Sequence, residues 1–303
     1  MRDMVLIEGG SFRMGSDEFY PDERPVHERT VRSFSIDRYE VTNADFAAFV
    51  DDTGYVTVAE RPIDPADIPG ADPADLVPGA LVFTPTARPV DLGDWRQWWR
   101  WEPGAHWRAP EGPGSSITDR MQHPVVQVSF TDATAYADWA GLRLPTEAEH
   151  EYAARGGHDG WRFAWGDEPY PDGVPQANSW IGRFPWDNRG EHGPGTAPVG
   201  SYPPNGHGLS DMIGNVWEWT SDYYTERHVL PDDVPVDAGQ RSNLLAPATA
   251  STESVSRTPR RVLKGGSHLC SPDYCLRFRP AARSPQADDT ATTHIGFRCA
   301  RDA

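Results

Sequence analysis

The chain has 303 residues and a formal charge of -17, from 28 Lys and Arg against 45 Asp and Glu. Such a balance offers no basic footprint to displace counterions from phosphates, which argues against a nucleic-acid partner. Mean hydropathy is -0.62, and no stretch approaches the roughly 20 apolar residues of a membrane span, so no membrane partner is expected.

In chain order, the first element is a strand over MVLIEG, residues 4–9. Its apolar patch, Met4 to Ile7, is bounded by Asp3 and Glu8 and is too short and too acidic at its edges for a secretory signal, so a cytoplasmic location is expected. Alternation predicts a second strand from Thr30 to Asp37. A helix follows Thr42 as N-cap, with Phe46, Phe49 and Val50 on its apolar face and Gly54 as its stop. Glu60 to Asp94 reads as a long loop, and Pro124 to Phe130 as a strand. A second helix starts near Thr131 or Asp132, buries Ala133, Tyr136, Ala137 and Ala140, and ends at Gly141. In the third, Thr146 and Glu149 form a capping box and Gly156–Gly157 close the helix. Thr225 to Arg260 is a second long loop, and short strands are expected at Arg261 to Lys264 and Leu276 to Arg279. With 28 Gly and 29 Pro the elements must stay short, and 12 Trp suggest an aromatic core under ordered loops. No tandem repeat or linker divides residues 1–303, so one domain is expected, and a monomer.

Three cysteines are too few, and odd in number, for a disulfide scaffold; in a chain without a signal they point to a reducing compartment. Cys270 and Cys275 are separated by SPDY, and Pro272 keeps a continuous helix from running through them. Such a pair can form a disulfide, bind Cu(I), share zinc with Cys299 and His268, or simply pack as small apolar side chains. The C-x4-C spacing is not that of a zinc knuckle, and it does not decide among the others.

A second group lies in NGHGLSDMIGNVWEW, residues 205–219. Asp211 and Glu218, with carbonyls at Gly214 and Val216, are oxygen donors of the kind calcium collects, though not in an EF-hand pattern. Residues 178–195 hold further oxygens at Asn178, Asp187, Asn188 and Glu191. The 10 histidines form no zinc helix, and there is no nucleophile elbow, Walker loop or dinucleotide fingerprint.

Taken together the segments resemble the formylglycine-generating enzyme family, also called sulfatase-modifying factors. The resemblance runs through IEGGSFRMGS, DRYEVTNADFAAFVDDTGYVT, HPVVQVSFTDATAYADWAGLRLPTEAEHEYAARGG and GTAPVGSYPPNGHGLSDMIGNVWEWTSD to VLKGGSHLCSPDYCLRFRPAAR and HIGFRC. The R-L-P-T-E-A-E and G-N-V-W-E-W blocks mark the wider superfamily; the GGSxxCxxxYCxRxRxAAR block is narrower. The resemblance implies an α+β, variant C-type-lectin-like fold with little regular structure. It implies an oxidase that uses O2 to convert the cysteine of a C-x-P-x-R motif, in a sulfatase polypeptide that has not yet folded, to formylglycine. Cys270 and Cys275 match the pair that binds Cu(I). Ser267 and Trp217 match positions lining the oxygen and substrate-thiol pocket, and Tyr274 matches an active-site tyrosine. Asp211, Gly214, Val216 and Glu218 match a structural Ca2+ site, and Asn178 and Ser179 part of a second. Cys299 is left as a structural thiol.

Three positions depart from the family pattern. His150 replaces the usual Trp of its helix, a change expected to alter packing rather than chemistry. Pro280 stands where some members carry a further cysteine. Glu191-His192-Gly193 lacks a carboxylate of the second calcium loop. The substrate Arg would be met by a carboxylate, with Asp273, Asp288 and Asp289 as candidates. Two other readings compete: a related iron-dependent sulfoxide synthase, which needs a three-histidine helical domain absent here, and a non-catalytic lectin-like binding module, which would not need both cysteines.

Overall fold

The computed structural model describes residues 3–66, 70, 72, 76–228 and 258–303. Its strands are β1 Met4–Ile7, β2 Gly10–Met14, β3 His27–Val31, β4 Phe34–Asp37, β5 Gly79–Phe83, β6 Trp99–Pro103, β7 Gly182–Arg183, β8 Asp187–Asn188, β9 Trp217–Tyr223, β10 Arg260–Lys264, β11 Arg283–Ala287, β12 Ile295–Gly296 and β13 Ala300–Asp302. The helices are α1 Asn43–Thr53, α2 Phe130–Trp139 and α3 Glu147–Ala154. Two sheets organise the molecule, β1-β4-β13 and β11-β10-β9-β12, with separate hairpins β2-β3, β5-β6 and β7-β8. Among the strands of the described residues only β12 runs parallel to its neighbour, pairing Ile295 with Trp217. This is the α+β, variant C-type-lectin-like arrangement the sequence led us to expect, with short elements and long connections. None of the helices among the described residues is long and apolar enough to cross a membrane.

Helix boundaries follow local chemistry. Thr42 Oγ1 accepts from Asp45 N at 3.1 Å while the Asp45 carboxylate accepts from Thr42 N, and Gly54 ends α1 in the left-handed region at φ 69°. Thr146 and Glu149 repeat the device at α3. Helix α2 starts earlier than expected, at Phe130, because Ser129 is its N-cap and forms the capping box with Asp132.

The strand expected at Pro124 to Phe130 does not form. Gln127 takes φ 60°, which breaks an extended run, and only Pro124 makes a bridge, to Thr42. The alternation from Thr30 to Asp37 is divided between β3 and β4. Part of the predicted Glu60 to Asp94 loop is strand β5, paired in register with β6 from Gly79–Pro103 to Phe83–Trp99. Of the second predicted loop, residues 229–257 lie outside those described.

The main core is aromatic. Phe46 meets Trp107 at 5.0 Å, Tyr136 at 5.9 Å and Phe297 at 6.4 Å between ring centroids, joining α1, α2 and the C-terminal segment. Pairs of this kind add about 0.5–1.5 kcal/mol each beyond their buried area. The same cluster takes in Trp217, Trp219 and Cys270, so the thiol loop grows directly out of the core. Phe83, Trp98, Trp180, Phe184 and Leu269 form a second aromatic cluster on the other side of that loop.

Candidate active site

The loop after β10 is shaped by two glycines. Gly265 and Gly266 hold φ 88° and 75°, and a Cβ on Gly266 would stand 2.5 Å from the Arg277 carbonyl oxygen. Only glycine lets the returning strand of chain approach so closely. Ser267 follows, fully buried; its N–H points to Cys270 Sγ at 3.4 Å, its carbonyl accepts from Cys270 N, and its Oγ accepts from Leu269 N. The Cys270 carbonyl accepts from Trp180 N at 2.8 Å, which ties the turn to the second aromatic cluster.

Cys275 closes the loop back on Cys270. Ser271 and Cys275 exchange backbone hydrogen bonds at 2.9 and 3.1 Å, and the two sulfurs lie 3.8 Å apart. That separation is far beyond the roughly 2.05 Å of a disulfide, so both are thiols. Cys270 is buried and Cys275 half-buried. Burial, followed by the neighbouring sulfur, pushes the Cys270 thiol well above its usual range. The hydrogen bond from Cys270 lowers Cys275, helped against burial by the Arg277 guanidinium. Cys275 therefore ionises first, with Cys270 donating to it.

Tyr274 stands between the two cysteines, 38% exposed. Its ring stacks on Phe184 at 4.3 Å and 4°, and meets Trp98 edge-on at 6.0 Å. The half-buried Cys275 thus follows directly on an exposed tyrosine whose ring is backed by the buried Phe184 and Trp98. Trp217, at the start of β9, is buried in the core cluster with Cys270.

Asn178 and Gly214, two of the calcium candidates, meet at Asn215. Asn215 is the hub: its Nδ2 donates to Glu40 Oε1, its Oδ1 accepts from Asn178 Nδ2 and Ala197 N, and its carbonyl takes both His268 N and Nδ1. Gly214, at φ 87°, lies so near Asn178 that a Cβ would be 2.7 Å from its carbonyl oxygen. Asp211 Oδ2 accepts from Gly200 N, whereas Oδ1 is buried with no partner. Glu218 is differently placed. Both its oxygens are held by Arg298, at 2.7 Å each, and Oε2 also meets His150 Nε2 at 3.1 Å. Burial opposes ionisation of Glu218, but Arg298 outweighs it and holds the carboxyl below its usual range. His150 is thus a polar partner of Glu218, which corrects the expectation that it changes packing alone. Ser179 Oγ lies 3.2 Å from Tyr170 Oη. Among the described residues, no three His, Cys, Asp or Glu side chains converge as a metal cluster, which leaves the zinc alternative without its ligands.

The sulfatase-modifying factor enzyme 1-like domain family matches residues 1–303. The chain belongs to this family. It is 59% identical over 304 residues to the formylglycine-generating enzyme of Mycobacterium tuberculosis, covering 100% of this chain and 98% of that one. It is also 38% identical to the inactive C-alpha-formylglycine-generating enzyme 2 of Bos taurus, over 99% of this chain and 88% of the relative. Among solved structures, PvdO from Pseudomonas aeruginosa superposes with a TM-score of 0.64 at 26% identity, covering 99% of this chain and 94% of that one. Within the sulfatase-modifying factor family, the sequence blocks that suggested membership lie where the structure builds its core and its thiol loop.

Several residues of this site were not singled out by sequence reasoning. Asn215 lay inside a quoted motif, yet only its neighbours were read as donors. Phe184 and Trp98 come from distant segments and carry no local signal.

Proposed function

We propose that this protein is an oxidase that converts the cysteine of a C-x-P-x-R motif in a sulfatase polypeptide to formylglycine, using Cu(I) and O2. The observation that carries the reading is the pair of reduced thiols, 3.8 Å apart, one buried and one half-buried, next to the exposed Tyr274 ring. A non-catalytic binding module has no use for such a pair, whereas two adjacent soft thiolates suit Cu(I) over harder ions. Cys270 and Cys275 would hold the metal, which when bound would supply the redox chemistry that O2 requires.

The chain's own residues do the rest. Ser267 fixes the turn that aims Cys270 Sγ. Tyr274, backed by the buried rings of Phe184 and Trp98, offers an apolar surface on which the residues around the substrate thiol can lie. Asp273, exposed between the cysteines, is the carboxylate nearest in sequence for the substrate Arg; Asp288 already faces Arg261 at 3.9 Å. In the overall step, O2 takes two electrons and two hydrogens from the substrate cysteine side chain and two more of each from a pair of added thiols. The products are a thioaldehyde, a disulfide and water. Water then replaces the thioaldehyde sulfur, releasing hydrogen sulfide and leaving the aldehyde.

A structural Ca2+ at Asp211, Gly214, Val216 and Glu218 is part of the proposal. The unpartnered Asp211 Oδ1 supports a cation there, whereas the Glu218 carboxylate would be shared with Arg298, which holds both its oxygens. At Asn178 and Ser179 the fit is poorer. Asn178 Nδ2 donates to Gly195 O and Asn215 Oδ1, its backbone carbonyl accepts from Asn215 N, and Asn188 closes the 188–193 loop on itself through Gly190 N and Gly193 O.

Incubation with Cu(I), O2, a thiol reductant and a C-x-P-x-R peptide is expected to yield an aldehyde, read by mass spectrometry and by capture with an aminooxy probe. A peptide with Ser for Cys should stay unchanged. Absence of any aldehyde with copper-loaded protein would refute the proposal.

A further inference from the structure

The two cysteines are anchored in different ways. Cys270 hangs from the core, through Ser267, Trp180 and the His268–Asn215 contact. Cys275 follows the segment Pro272 to Tyr274, two exposed residues and a half-exposed tyrosine, and leads into Leu276 to Arg279, where no strand forms. Nothing in a sheet therefore fixes the second thiol.

What holds that segment is the strap Phe19–Glu23, more than 250 residues away in sequence. Leu276 N donates to Tyr20 Oη at 3.1 Å. The Arg277 guanidinium lies 3.9 Å over the Tyr20 ring and bonds Asp22 Oδ2 at 2.9 Å. Arg279 sits 3.7 Å over Phe19 and pairs with buried Glu23 at 3.0 Å. The far side of the strap is itself tied down. Tyr224 Oη donates to Asp22 Oδ2, Arg283 Nη1 donates to Asp22 O, and Ser16 N donates to Glu23 O. A segment held on both faces acts as a spacer, and preorganised ligands bind a metal more tightly than ligands that must first be ordered.

We propose that Tyr20 and Asp22 are positioning residues for Cys275, holding its segment at the spacing from Cys270 that the metal requires. The inference rests on the thiol-pair reading above, but its geometry is that of the strap.

The test uses the full chain with Tyr20→Phe, which removes one oxygen and keeps the ring, and with Asp22→Asn and Asp22→Glu. In metal-free protein, Tyr20→Phe is expected to speed alkylation of Cys275 about fivefold, leave Cys270 unchanged and lower the thermal midpoint by no more than about 4 °C, as expected for one lost side-chain hydrogen bond. In competition with a chromophoric Cu(I) chelator, Tyr20→Phe and Asp22→Asn should weaken binding by a similar factor, and Asp22→Glu should restore it. Alkylation and Cu(I) affinity equal to wild type in both Tyr20→Phe and Asp22→Asn would overturn the proposal. If wild type takes up no Cu(I) yet Tyr20→Phe exposes Cys275, the strap stands and the copper reading falls.

Discussion

Cys270→Ser and Cys275→Ser should each lower peptide conversion by at least about three orders of magnitude, as expected when residues act as a unit. Serine nearly preserves shape but replaces a soft sulfur with a hard hydroxyl oxygen that does not ionise near neutrality, so a two-thiolate clamp for Cu(I) is lost. Cys270 is fully inside the core cluster, and its replacement leaves the neighbouring Ser267–Leu269 turn with its own hydrogen bonds. Both variants should therefore remain folded, with a melting midpoint close to wild type. Cys299→Ala is the control: Cys299 is buried beside Asp37, whose carboxylate accepts from the Cys299 backbone N–H at 2.9 Å. Its removal should cost some stability through a small cavity and leave turnover nearly intact. Equal loss of activity in all three variants would show that the thiols act through the fold and not through the metal. Full activity in Cys270→Ser would remove the pair from the reaction.

Arg298→Met should cost about 3–5 kcal/mol of stability, the usual penalty for removing one partner of a buried ion pair. Arg298 is completely buried and forks onto both oxygens of Glu218, while its remaining N–H groups reach the carbonyls of Asp37, Arg38 and Ser210. It is also the cation facing two more buried carboxyls. Burial pushes Asp211 up to about 6, opposed by the Gly200 N–H and by Arg298. Burial, followed by Asp211, pushes Glu40 well above the usual carboxylate range, and Arg298 again works against that. Methionine leaves Glu218 charged with only His150 beside it, and burial keeps that imidazole neutral. Denaturant unfolding reads the loss directly. The double variant Arg298→Met with Glu218→Leu should recover most of it, because the buried charge is gone with its partner. A single variant as stable as wild type would contradict this account of the site beneath β9.

The parts of the fold that sequence reveals are those governed by neighbours in the chain. The N-cap at Thr42, the capping box at Thr146 and the glycine stop at Gly54 need only a few consecutive residues, and they appear where expected. Pro124 to Phe130 misleads for the same reason: its alternation is real, but the fold turns Gln127 out of the extended region. Leu276 to Arg279 alternates too, yet its Leu276 N–H and its guanidinium groups are claimed by Phe19 to Glu23 instead of a strand partner. At the site, the cysteines, Ser267 and Tyr274 share one short segment and could be read together. The backing of Tyr274 by Phe184 and Trp98, the strap at Tyr20 and the hub at Asn215 are assembled by the fold, and nothing local announces them. Glu218 shows the limit most clearly: its carboxylate was legible as a donor, but Arg298, far along the chain, already occupies it.

The most direct test of the central claim is a thiol footprint of the intact protein, with and without one equivalent of Cu(I), in the absence of O2. Cys275 should alkylate readily in the metal-free protein, Cys270 more slowly, and both should be protected together by a single equivalent of copper. Unchanged labelling of the two cysteines after copper addition would contradict the claim that they form one metal-binding pair.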